Sequence, residues 1–280
     1  MNKPIVAIMY DFDKTLCTRD MQEYTFIPSV GMSPEEFWRY TGEVAEAETM
    51  DSILTYMYCM VEKARETKTP ITRESLVACG RDIEYHMGVE DWFERINRYA
   101  EEAGVEVEHY VLSSGLKEII EGTSIAKYFK KIYACEFLYK DGQAHWPKMA
   151  VNYTNKTQFV YRINKGVLDI NNNVDLNSSR PDNEKRVLFS NMIYIGDGLT
   201  DVPCMKLVKQ SGGHSIAIYQ PDESHNATPL LKHKRVDWMF PADYREGSEL
   251  DRTMELLLKQ LGYANKLQSI NEQQKRDLDE

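Results

Sequence analysis

A chain of 280 residues, 42% of them hydrophobic, carries enough apolar material for one large core or two modest ones, which excludes wholesale disorder. Its formal charge of -10 argues against sequence-independent nucleic-acid binding, which draws on surplus Lys and Arg, yet leaves anionic small molecules open because a cleft can be locally positive. The five cysteines, Cys17, Cys59, Cys79, Cys135 and Cys204, are scattered and form no C-x-x-C, so neither a disulfide framework nor a zinc site is expected. No apolar run approaches the roughly 20 residues of a membrane helix, and the run Ile5 to Tyr10 is too short for a signal-peptide core. These features predict a soluble cytoplasmic protein with no membrane or nucleic-acid partner. They leave its oligomeric state open.

Ile5 to Tyr10 reads as a buried strand, apolar throughout as in a parallel sheet, with Asp11-Phe12-Asp13-Lys14-Thr15 at its C-terminal end. That edge of an open α/β sheet is where ligands bind. From Cys17 to Gly104 the signals are helical. Ser33-Pro34-Glu35-Glu36 combines an N-cap, a first-turn proline and a capping-box Glu. Ile53, Leu54, Met57 and Val61 follow at helical spacing, and Trp92, Phe93, Ile96, Tyr99 and Ala100 form a further stripe closed by Gly104. Val105 to Leu112 predicts a second strand, ending at Ser113-Ser114-Gly115 and followed by a helix. A strand at Ile132 to Cys135 leads toward a hairpin at Asp141-Gly142. Thr154 or Asn155 can cap a helix that Gly166 closes, and the polar stretch Asp169 to Arg186 predicts an exposed loop. Met192 to Ile195 is a further strand, running into Gly196-Asp197-Gly198-Leu199-Thr200-Asp201. Later strands are expected at Ser215 to Tyr219 and Val236 to Phe240. A last helix is expected at Leu250 to Leu261, with a frayed polar tail after Asn265.

Three strands thus end in polar clusters, which converge if the strands are parallel neighbours. A carboxylate such as Asp11 can attack phosphorus. Asp13, two residues on, can give a proton to a leaving oxygen and take one from water. Magnesium prefers carboxylate, carbonyl and phosphate oxygens, which suits Asp11 and Asp197, while Ser113 and a lysine can hold the remaining phosphoryl oxygens.

In order along the chain, DFDKT at Asp11, VLSSG at Val111, a lysine opening a helix, and GDGLTD at Gly196 resemble the motifs of the haloacid dehalogenase superfamily, and the context leans toward its phosphoserine-phosphatase-like members. The resemblance implies an α/β fold: a Rossmann-like parallel sheet flanked by helices (1–16 and 105–280), with an inserted α-helical cap (17–104). It implies a magnesium-dependent phosphomonoester hydrolase that works through an aspartyl-phosphate on a small phosphorylated metabolite. Asp11 is then the nucleophile and Asp13 the acid/base. Ser113 and a lysine hold phosphate, Ser114 and Gly115 face substrate, and Asp11, Asp13, Asp197 and Asp201 serve the metal. A phosphotransferase with the same first half-reaction is the alternative, and a non-catalytic regulatory module on this fold is disfavoured because the acids are all present. A dehalogenase would have no use for Asp13.

Lys156 follows a plausible N-cap and is the expected lysine, with Lys148 and Lys165 as alternatives. Asp20 falls where the phosphoserine-phosphatase-like members carry an acid that reads the substrate's amino group; the competing reading makes it a helix cap. Asp169-x-Asn171-x-Asn173-x-Asp175 imitates a calcium loop, but the sixth position is Val174 and the twelfth Arg180, so a polar loop is expected. The histidines show no metal spacing, and Tyr56, Met57, Tyr58 and Met60 read as packing.

Overall fold

The computed structural model describes residues 3–181, 184–220 and 223–279. Among these, seven strands form one sheet in the order β4-β3-β2-β1-β5-β6-β7. They are β1 (Ile5–Tyr10), β2 (Glu106–Leu116), β3 (Phe129–Lys140), β4 (Gln143–Met149), β5 (Met192–Gly196), β6 (His214–Tyr219) and β7 (Trp238–Pro241). All neighbours are parallel except β3 and β4, which fold back at Asp141-Gly142. Both turn residues are left-handed (φ 51° and 75°), as a two-residue type I′ hairpin requires. β1 is the central strand. Tyr10 pairs with Val111 on one side and Ile195 on the other, so the segments leaving β1, β2 and β5 start from one edge.

Eleven helices follow the chain among the described residues: α1 (Phe26–Ser29), α2 (Pro34–Glu48), α3 (Ser52–Thr67), α4 (Arg73–Cys79), α5 (Val89–Ala103), α6 (Lys117–Glu121), α7 (Lys156–Lys165), α8 (Asn173–Asn177), α9 (Val202–Gln210), α10 (Ser224–Lys232) and α11 (Glu249–Asp279). The capping box at α2 forms as its sequence predicts: Glu36 N–H donates to Ser33 Oγ at 3.2 Å, and Ser33 N–H to Glu36 Oε2 at 2.9 Å. α4 starts with a box of unusual composition, in which Thr72 and Ser75 exchange bonds at 2.9 and 3.0 Å. Serine at the third position carries no Glu/Gln signal, which is why this helix is silent in the sequence.

The chain leaves the sheet and returns through a narrow neck. Cys17 and Tyr85 form an isolated antiparallel bridge. Thr18 N–H donates to Glu84 O at 3.0 Å and His86 N–H to Leu16 O at 3.1 Å. α1 to α4 lie beyond that neck. α5 falls inside the segment read as cap, yet its stripe lies on the sheet. Phe93 meets Tyr10 and His109 edge-on, with centroids 5.7 and 5.1 Å apart. Arg95 on the same helix pairs with Asp251 of α11 at 2.8 Å. Periodicity states that a face is buried and is silent about its partner.

Two expectations need correction. α11 runs on to Asp279 where a frayed tail was expected. The segment after Asn265 contains no Gly or Pro and is rich in Lys, Gln, Glu and Arg, all good helix formers, so a polar composition here makes a solvated helix. The Asp169 to Arg186 segment is not a plain loop, because it contains α8 and is tied to α7. The Arg162 guanidinium donates to the carbonyls of Asp169 and Ile170 at 2.7 and 2.9 Å and to Asn173 Oδ1 at 2.8 Å. The calcium-like spacing therefore wraps a cation of the chain's own. Among the described residues, no helix is long and apolar enough to cross a membrane.

Candidate active site

Asp11 is the first residue past β1, where its N–H donates to Ile195 O at 2.9 Å and extends the pairing with β5. Its side chain faces Lys156, which opens α7 and is fully buried. Lys156 Nζ lies 2.8 Å from Asp11 Oδ1 and 2.8 Å from Asp201 Oδ1. Tyr194, on β5, donates its hydroxyl to the same Asp201 oxygen at 2.7 Å, and Gly198 N–H approaches the other at 3.4 Å. The other two candidate lysines lie elsewhere: Lys148 pairs with Glu136 on the hairpin, and Lys165 donates to the carbonyls of Leu176 and Ser178. Asn155 stands at the N-cap position of α7, but its side chain makes no capping bond. The turn before α7 is built by Asn152, whose Oδ1 accepts from the N–H groups of Thr154 and Asn155 at 3.1 and 3.0 Å.

Carboxylate oxygens of Asp11, Asp197 and Asp201 lie within 4.8 Å of one another. Burial pushes the Asp11 carboxyl up to about 7, Asp201 adds to the rise, and Lys156 opposes it. Burial and then Asp11 and Asp201 hold Asp197 well above the usual carboxylate range. For Lys156 burial works against the charge, but the two carboxylates outweigh it and the ammonium is held more firmly than in water. Three acids around one ammonium leave negative charge uncompensated, and oxygen donors of this kind fit a hard cation such as magnesium. Asp11 and Asp197 are the better placed to hold it, because both oxygens of Asp201 already accept hydrogen bonds.

Asp13 accepts the N–H of Met21 at 2.8 Å through Oδ1. Burial, then Asp20 and Asp11, raise its carboxyl well above the ordinary value, which favours the protonated form a proton donor needs. Ser113 is fully buried and its Oγ accepts Gly115 N–H at 2.9 Å. Ser114 lines the cavity, and its Oγ has no hydrogen-bond partner. Asp20 occupies the N-cap position of the short 3-10 turn Met21–Glu23 without capping it. Its carboxylate pairs with Lys14 Nζ at 2.7 Å. A cavity of about 570 Å³ opens over Asp11, Asp13, Ser114, Lys156 and Asp197, with Lys14 and Asp20 also in its wall. Ser113 and Asp201 lie behind this wall, not in it.

Two partners in this site escape the sequence motifs. Tyr194 gives a signal after the fact, since a tyrosine inside a fully buried apolar strand must find a partner for its hydroxyl. Met21 gives none, because its contribution to Asp13 comes from the backbone.

A parallel α/β sheet whose central strand ends in two spaced carboxylates, faced by a buried lysine and a second acidic pair, defines a hydrolase architecture. The haloacid dehalogenase-like hydrolase family matches residues 8–206, and the chain belongs to it. An uncharacterized protein of Borreliella burgdorferi is similar over 274 residues at 26% identity, covering 88% of this chain and 94% of its own. Among solved structures, a phospho-aspartyl intermediate analogue of phosphoserine phosphatase superposes with a TM-score of 0.55 at 14% identity, covering 91% of this chain and 99% of that one. A substrate-bound phosphoserine phosphatase gives 0.56 at 14% identity, covering 88% and 97%. A hydrolase of this family from Salmonella enterica serovar Typhi gives 0.58 at 15% identity, covering 91% and 72%. At these identities the structures establish a shared fold.

Proposed function

We propose that this protein is a magnesium-dependent phosphomonoester hydrolase acting on a small phosphorylated metabolite in the cytoplasm. The observation that carries the reading is Lys156 held at 2.8 Å from both Asp11 and Asp201, beside Asp13 and Asp197. Asp11 and Asp197 would hold magnesium, which would supply charge neutralisation. A carboxylate oxygen of Asp11 forms the bond to phosphorus as the ester P–O bond breaks. Asp13 gives its proton to the departing alkoxide. It then takes a proton from the water whose oxygen attacks phosphorus, and the bond to Asp11 breaks to release phosphate. Lys156 offsets charge on Asp11 and on the phosphoryl oxygens, and Asp201 with Tyr194 keeps the ammonium in place.

In this reading the cap is the part beyond the neck, 18–84, and α5 belongs with the sheet. A cavity of about 570 Å³ suits a metabolite-sized ester. Asp20 remains a candidate for reading an amine, which would have to displace Lys14 from it. The five cysteines are unpaired and buried, in keeping with a reducing compartment. The test is turnover of an aryl phosphate and of a panel of phosphorylated metabolites with and without magnesium. Hydrolysis that stops on chelation, and that Asp11→Asn abolishes, is expected. Undiminished turnover in chelator, or Asp11→Asn activity within tenfold of the parent, would refute the assignment.

A further inference from the structure

Resting on the phosphatase reading, we infer that the inserted helices set the geometry of the phosphoryl-binding turn through one hydroxyl. Tyr56 of α3 is a positioning residue for the Ser114–Gly115 peptide. Tyr56 is 5% exposed, and its hydroxyl donates to Ser114 O at 2.7 Å. The Cys135 thiol donates to the same carbonyl at 3.2 Å. At the other edge of this peptide unit, Gly115 N–H donates to Ser113 Oγ at 2.9 Å. The plane is therefore bonded on both sides, and the one donor that comes from beyond the neck is Tyr56.

What the plane carries makes this matter. Ser114 stands in the cavity wall with Asp11 and Lys156, and its Oγ is buried without a hydrogen-bond partner. A buried hydroxyl without a partner is costly unless a ligand oxygen completes it. Rotation of the 114–115 peptide would take Gly115 N–H off Ser113 Oγ and loosen the turn from which the Ser114 side chain stands. A second contact locks the same turn, because Met21 Sδ accepts Leu116 N–H at 3.1 Å while Met21 N–H holds Asp13. The fit is close enough that a Cβ on Gly115 would lie 2.1 Å from Met21 Cε and 2.8 Å from Asp13 Oδ2. The inserted segment thus touches both the phosphoryl turn and the acid through Met21, and the turn alone through the Tyr56 hydroxyl. Tyr56 acts on the part of the site common to every phosphate ester.

That placement makes a sharp prediction. A cap residue that reads the leaving group changes activity according to substrate, whereas loss of the Tyr56 hydroxyl should be blind to it. Tyr56→Phe is expected to lower kcat/KM about tenfold, by the same factor for an aryl and an alkyl phosphate, because small misplacements of oxyanion donors are expensive. Binding of inorganic phosphate, measured by calorimetry in the Asp11→Asn background with and without Tyr56→Phe, should weaken by a similar factor without any turnover. Tyr56→Phe Cys135→Ala, which removes both donors to the carbonyl, should lose more on both substrates. Unchanged kcat, KM and phosphate affinity with only a lower thermal midpoint would make Tyr56 structural and overturn the inference. So would a loss confined to one leaving group. A parent protein that binds phosphate but hydrolyses no ester would instead refute the phosphatase reading, and the calorimetric comparison would still decide the role of Tyr56.

Discussion

Replacing Lys156 by Met separates what the lysine does for the fold from what it does for the chemistry. Its ammonium is fully buried between two carboxylates at 2.8 Å each, with Asp197 in the same cluster. Removing one partner of a buried ion pair costs about 3–5 kcal/mol, because a charge is left uncompensated. Here a proton can relieve part of that cost, since the Asp11 carboxyl already sits at about 7 with the lysine present. An acid whose folded pKa lies above its unfolded value destabilises the native state as pH rises between the two. The deficit of Lys156→Met should therefore be larger at pH 8 than at pH 6. On the order of 2–4 °C per kcal/mol, the thermal midpoint at pH 8 should fall by roughly 10 °C. Activity should fall at least about a hundredfold, as it does when one transition-state donor is lost. Urea melts in chelator at pH 8 and pH 6, with aryl phosphate turnover alongside, provide the measurement. Lys156→Met Asp201→Asn removes one stranded carboxylate and should recover most of the stability and none of the activity. A single variant as stable as the parent at pH 8, or a double variant that regains turnover, would refute this account of the site.

Asp13→Asn should lose most turnover of alkyl phosphates and less of activated aryl phosphates, since a good leaving group needs little protonation; equal losses would exclude Asp13 as the acid. Burial pushes the His109 imidazole down to about 3, so the ring is neutral in the fold and charged in the unfolded chain below its ordinary pKa. The native state should therefore lose about 1.4 kcal/mol per pH unit on acidification below roughly 6.5 through this group alone. His109→Gln should flatten that slope by one proton, and parallel urea-melt slopes in the two proteins would contradict it. Asp251→Asn weakens the pair with Arg95 at 2.8 Å and the acceptor for Gly247 N–H at 2.8 Å. It should cost about 3–5 kcal/mol by chemical denaturation, and a change under 1 kcal/mol would mean that α5 is not anchored to α11 as described.

Much of this site is legible in the sequence because strand ends are. An apolar run that stops at Asp11, Ser113 or Asp197 announces both the strand and the edge at which it ends, and the parallel register then brings the ends together. The lysine is harder to read. Lys148, Lys156 and Lys165 differ only in where their helix or hairpin begins, and the residue that builds that turn is Asn152, one helical turn before Lys156. The boundary of the inserted segment is hidden for a different reason. The stripe on α5 has the same helical spacing as the one on α3, yet α5 packs under Tyr10 and His109 on the sheet. Backbone donors such as Met21 N–H leave no trace in residue identity. Ser113 and Ser114 differ in whether the buried hydroxyl finds a partner within the turn, and a chemical motif does not encode that.

The Arg162 clasp has a consequence for how the chain assembles. Lys156 and Asp201 must meet across 45 positions, and much of that interval is the segment after α7. An unstructured connection of that length would close at a cost that grows only slowly, about 0.6 kcal/mol for each doubling. The larger cost would be ordering it residue by residue. Arg162 and Lys165 bind carbonyls 7 to 13 positions downstream, so the segment folds back on the helix that made it. Such short-range contacts form early and locally, before distant strands have paired. An excursion gathered onto α7 in this order would dock with it, leaving Lys156 at one end of a preassembled unit. Arg162→Leu should then slow refolding more than it disturbs the finished active site.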